Sequence, residues 1–373
     1  MPSENKKTDK IRKHQHTAIL CFNIVSGTTP RQLLEGFEKL AERIRVLKQG
    51  LPEQEQEPWL IKGNAFQLTA TWAYGSSLFE KPELPLAELR PHGLRRMPDF
   101  PMEQRDQDFS RSQGDADLLV QFSCRHFFPL FRAINSVTKP GRLPFTLVGY
   151  HRGFQRADDR GMLRFFDGTS NLSQEERERL VPINAANQGE LPWCDGGTFM
   201  VFRKLREEVR DWEALSQTEQ EARIGRRKVD GFPLGSPENL PTNHPTFREP
   251  EFQGQNNQVP LDSHVRKMNP RQGVSPDTKI FRRGWPYFDG FASDGRMLAG
   301  LLFISFQRDL GSFEIIRRNW MTQGFPNGRT RADGILRTNV IHLVTGGYYF
   351  VPRAPRRGEA FPGANALRPA LNQ

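Results

Sequence analysis

The sequence predicts an α+β fold in which one pattern is used twice, and three observations predict it. Apolar, β-branched runs alternate with helical periodicities in the order strand, helix, strand, strand, helix, strand. The same order recurs in the second half. Turn-rich stretches separate the elements. Two such units make a duplicated ferredoxin-like fold, two four-stranded antiparallel sheets with helices packed outside. At 373 residues the chain is long enough for two domain-sized halves. The expected divisions are a disordered basic arm over 1–16, halves over 17–185 and 186–355, and a flexible tail over 356–373.

Taken in order, residues 17–24 are apolar and β-branched, a strand. Pro30 opens a helix whose Leu33, Leu34, Phe37, Leu40, Ala41 and Ile44 share one face. Residues 64–74 alternate as a strand, and 75–114 have little periodicity. A buried strand is expected over 117–125, a helix over 127–137 and a strand over 146–156. In the second half, strands are expected over 197–203, 279–287, 298–306 and 347–352. Helices are expected to begin at Leu205 and at Ser312, the latter acting as its cap. The stretch 233–260 is rich in Pro, Asn, Gly and Gln, and a loop of that length is usually functional or disordered.

Composition narrows the class. Hydrophobic residues make up 36% of the chain and 28 are Phe against 5 Tyr, which suits apolar walls. Cys21, Cys124 and Cys194 form no CxxC pair, arguing against structural zinc or a disulfide framework and for buried thiols. No run approaches the roughly 18 apolar residues of a membrane span, and the N-terminus lacks a signal-peptide pattern, so a cytoplasmic location is expected. Net charge is +10, but the positive charges are scattered, so anionic small substrates are favoured over nucleic acid. P-loop, dinucleotide-binding, HExxH and GxSxG motifs are all missing from the sequence.

Three residues stand out. Asp167 lies in RFFDGTSN, where the ordinary reading is a turn leading to a helix cap at Ser173; the functional one is a carboxylate held at an apolar cavity, able to exchange protons. His264 lies in SHVRKMNPR with cationic neighbours; alone it is more often a surface or capping residue, but single-histidine ligation suits haem. Arg282 opens RRGWPY; beside Asp167 it would make an acid–base and electrostatic pair suited to splitting a peroxide.

Taken together, the segments 117–124, 164–171, 225–235, 263–271, 281–287, 300–309 and 346–352 resemble, in order, those of the dye-decolorising peroxidase family, in the dimeric α/β-barrel superfamily. The resemblance implies one non-covalent haem b per chain in the second half, with His264 as the iron's ligand. Asp167 and Arg282 correspond to the distal acid and arginine, with Gly168, Thr169 and Ser170 approaching the haem from the distal loop. Arg266, Asn269 and Arg271 lie on the cofactor's side of the histidine segment, the last two near the propionates, and Leu302 and Phe303 form the distal wall. The implied activity is reduction of hydrogen peroxide and oxidation of bulky donors such as dyes and phenols through an oxoferryl intermediate, with electrons relayed by a surface Trp or Tyr. The alternative is a haem-handling or iron-releasing protein of the same superfamily. A homo-oligomer is compatible with the sequence. One departure is Arg164, which replaces the first glycine of the family's GxxDG motif.

Overall fold

The computed structural model describes residues 15–49, 68–100, 109–139, 143–241, 244–248, 258–270, 274–322, 324, 328 and 330–373. The N-terminal arm, apart from residues 15 and 16, and parts of the expected 64–74 strand and 233–260 loop lie outside these residues. The first half contains β1 (His16–Ile24), α1 (Pro30–Gln49), β2 (Thr69–Gly75), β3 (Leu118–Cys124), α2 (Phe127–Thr138) and β4 (Phe145–Phe154). Its strands pair antiparallel in the order β4-β1-β3-β2. The second half contains β5 (Thr198–Glu207), β6 (Phe281–Arg282), β7 (Trp285–Phe291), β8 (Met297–Gln307) and β9 (Ile341–Val351). Its order, β9-β5-β8 with β6 and β7 both on the free edge of β8, repeats the first. A break at Arg283 and Gly284 divides the expected 279–287 strand.

The two sheets join edge to edge through Tyr74 with Phe350 and Gly75 with Tyr349. At the other end β4 returns against β7, where a side chain on Gly153 would meet Trp285 Cβ at 2.7 Å. The joined sheet therefore curls round an inner core of Ile19, Cys21, Leu119, Met200, Phe202, Leu302, Ile304 and Tyr349. Helices cover the outer face of the first half, so β3 is buried at every position. That double burial is why LLVQFSC shows no alternation. The expected apolar face of α1 packs here, with Phe37 against Trp72 and Tyr74, ring centroids 5.7 Å apart in both cases.

Three expectations are corrected. Residues 205–207, expected in a helix, continue β5, because pairing with β8 and β9 outweighs the helical look of KLREE. The helix expected from Ser312 is capped by Asp309, whose carboxylate accepts from Gly311 N at 2.8 Å; it spans Leu310–Glu314 and passes into a π-helical turn, Ile315–Trp320. The tail expected to be flexible folds back as a helix, Ala364–Leu371, with Phe361, Leu367 and Leu371 buried in the core of the first half. Phe361 packs on Phe37 at 5.4 Å, and Arg368 pairs with Glu38 at 2.6 Å.

Candidate active site

The second-half sheet turns one face toward a cavity of about 1330 Å³. Small-molecule pockets run to about 1,000 Å³, so this one has room for a large flat ligand. Strand alternation sets its floor: Arg203, Leu205 and Glu207 of β5 share a face with Leu301 and Phe303 of β8. Leu205 pairs with Leu301 and Arg203 with Phe303. Leu302, expected in this wall, points through the sheet into the inner core beside Trp285 and Ile304. The two-residue period gives its place to Leu301, while Phe303 lines the cavity as expected.

On the sheet side, Asp167 sits in a loop shaped by Gly168 at φ +72°, a backbone that glycine adopts freely. Gly168 N donates to Asp167 Oδ1 at 2.7 Å, and Asp167 N to Asp159 O at 3.0 Å. Buried Arg226 holds the loop by donating to Ser170 Oγ at 3.0 Å, while donating also to Gly231 O at 2.8 Å and Phe247 O at 3.0 Å. Asn171 fixes the arginine strand: its Nδ2 donates to Arg282 O at 2.7 Å and its Oδ1 accepts from Arg282 N at 2.9 Å. Arg282 faces the cavity beside Asp167; burial pulls its guanidinium below the usual value and the Asp167 charge opposes that pull. Gly284 leaves room for the acid, since a side chain there would stand 2.9 Å from Asp167 Oδ2.

Arg164 has φ +66°, the left-handed region where a non-glycine residue costs about 1–2 kcal/mol. The turn keeps a glycine's shape with an arginine in it. Its side chain leaves the site and pairs with Glu213 at 2.6 Å, so the entrance to the Asp167 loop is not blocked by it.

On the helix side, His264 opens the helix His264–Met268 and lines the cavity. Its Nδ1 is 2.8 Å from Oδ2 of Asp333, which is fully buried. Asp333 is itself fixed: Oδ1 accepts from Ile335 N at 2.9 Å, and its own N donates to Met321 O at 2.9 Å. With Nδ1 engaged by a carboxylate, Nε2 is the basic nitrogen left for a metal. Arg266, Asn269, Thr169 and Ser170 line the same cavity, while Arg271 lies outside the described residues.

Sequence reasoning missed Asn171, Glu207, Asp333, Arg203 and Arg317. Asp333 left a signal, an Asp-Gly pair able to cap a short helix. Arg203 was visible as a charge ending an apolar strand. Arg203 and Arg317 are buried cavity-lining cations stacked over Phe100, 5.4 and 5.5 Å from its ring centroid. Burial pulls Arg203 well below its usual value and Arg317 down to about 10. The cavity thus offers one oriented imidazole, an apolar floor and buried cations suited to carboxylate side groups, which fits haem. Among the described residues no cluster of three or more His, Cys, Asp or Glu could hold a bare metal ion.

The fold and this site define a haem peroxidase of α+β architecture. The model for the C-terminal domain of Dyp-type peroxidases matches residues 158–356 and that for the N-terminal domain matches 11–155. The chain belongs to the Dyp-type peroxidase family, enzymes with haem as cofactor. A deferrochelatase of Escherichia coli O157:H7 is 27% identical over 313 residues, 81% of this chain and 69% of that one. A deferrochelatase of Yersinia pestis is 26% identical over 89% of this chain and 76% of that one. Ferric DtpA from Streptomyces lividans superposes with a TM-score of 0.78 at 24% identity, covering 95% of this chain and 93% of that one. A DyP-type peroxidase from Streptomyces coelicolor gives a TM-score of 0.78 at 25% identity with the same coverage.

Proposed function

We propose that this chain reduces hydrogen peroxide and oxidises bulky aromatic donors such as dyes and phenols, with His264 as the iron's ligand and Asp167 and Arg282 acting on peroxide. The observation that carries the reading is the meeting, in one cavity, of the Asp333-anchored His264 with Asp167 and Arg282. When bound, haem supplies the iron that takes peroxide and a macrocycle able to give and take electrons. Asp167 removes a proton from one peroxide oxygen and returns it to the other. Arg282 stabilises charge on the departing oxygen. Leu205, Leu301 and Phe303 keep the floor apolar and limit water. Asp333 orients His264 and raises its basicity. Gly168, Thr169, Ser170, Arg266 and Asn269 would contact the cofactor, and Arg203 and Arg317 its carboxylates. Among the described Trp and Tyr residues only Tyr150 is exposed, at 45%, which makes it the surface relay we assign to bulky donors.

The name deferrochelatase carried by the relatives favours a second reading, a non-turnover haem-handling or iron-releasing protein. The Asp167–Arg282 pair supports turnover, which simple handling does not need. No helix among the described residues is long and apolar enough to cross a membrane. Peroxide-dependent bleaching of an anthraquinone dye separates the two readings. Wild type should bleach it and Asp167→Ala should be slower by roughly 10²–10⁴-fold; equal rates would remove Asp167 from the chemistry. Absence of bleaching, with iron released from haem, would establish the second reading.

A further inference from the structure

One group in the cavity has no part in the mechanism above. Glu207 ends β5, two residues beyond Leu205 on the same face, and is 6% exposed. Its Oε2 has no hydrogen-bond partner. Asp167 lines the same cavity, set against Gly284 and Leu301, and Leu301 is the cross-strand partner of Leu205. We propose that Glu207 is a proton store for the peroxide site, its carboxyl holding a proton inside the cavity that Asp167 also lines. This role rests on the peroxide reading of the site.

The surroundings keep Glu207 uncharged. Burial, then the Asp167 charge, pushes its carboxyl up to about 8. The other charges near it are engaged elsewhere or lie farther along. Arg206 and Glu208, its neighbours in sequence, pair with each other at 2.8 Å, and His342 of β9 faces Glu208 at 3.6 Å. Arg203 lies four residues back on the same face and Arg317 on the π-helical turn, while Arg282 of β6 adjoins Asp167.

The proton count gives this a use. Each turnover takes in one peroxide, two electrons from an aromatic donor and two protons, and releases two waters. The proton moved through Asp167 only changes oxygens within the peroxide. The two that accompany the electrons must come from elsewhere, and Glu207 can give one and reload from solvent.

The test uses haem-loaded wild type, Glu207→Gln and Glu207→Met. Infrared spectroscopy should show a protonated carboxylic acid band in wild type at pH 6 that fades as pH rises past about 8 and is missing from both variants. The alkaline limb of peroxide turnover should move acidward by about one pH unit in both variants, with the Soret band intact. A band unchanged in the variants would overturn the assignment. A band lost without any movement of the pH profile would also overturn it, leaving Glu207 a buried acid without a role. A wild type with no Soret band would instead defeat the peroxide reading itself, and this role with it.

Discussion

Asp333, buried behind His264, and Glu207, on the cavity's floor, show how much depends on single carboxylates. Asp333 accepts from His264 and is pinned by two backbone contacts, so changing it alters the imidazole without moving the fold. Asp333→Asn should raise the reduction potential of the bound haem and slow peroxide turnover by roughly 10–100-fold, read by spectroelectrochemistry and steady-state rates. Glu207 makes a prediction about stability. Its carboxyl titrates near 8 in the fold against about 4.3 in an unfolded chain. Between those values the folded state keeps a proton that the unfolded state has lost, so stability falls as pH rises through the window. Glu207→Gln should therefore gain on wild type between pH 5 and pH 8, by up to roughly 4 kcal/mol, seen as a higher melting temperature at pH 8 and little difference at pH 4. His264, Asp167 and Arg282 were each ambiguous in their local sequence; the resemblance of their segments to the family singled them out, and the structure brings all three to one cavity. Asp333 is 69 residues from its partner, and no local pattern joins the two.

Among the elements, β5 and β6 carry the site, and both were misread in part. The sequence KLREE has a helix's charge pattern, yet sheet pairing extends β5 through Glu207. Propensity is a weak signal where a strand is held on both edges. In β8 the strand itself was clear, but the choice between residues 301 and 302 turned on register, which an all-apolar run does not reveal. The break between β6 and β7 places Gly284 against Asp167. Gly284→Ala should push on the carboxylate and on Leu301, slowing peroxide turnover at least tenfold while haem still binds. Retained turnover, with an unshifted Soret band, would show that the acid has more room than its neighbours suggest.

At the scale of the molecule, the core of the first half is sealed by the helix that follows the second sheet. The duplicated architecture was readable because hydrophobic periodicity reports strands and helices directly. The closing helix was not, because ALRPAL carries a proline and a short apolar face that resemble a loose end. Phe361 is fully buried against Phe37 and Trp72. Phe361→Ala should destabilise the protein by about 3–5 kcal/mol, lowering its melting temperature, although the residue belongs to no part of the haem cavity.

That closing helix has a consequence for how the protein is made. The first half leaves the ribosome early, but the part of its core over Phe37 and Trp72 that Phe361 covers is closed by residues that follow the whole second half. Domains often complete their folding as they emerge. Here part of the first core stays open until the second half and the helix after it have been made. Emergence of that helix is thus the event that closes the first core, and a chain cut before Phe361 would have its second sheet built and its first core still unroofed.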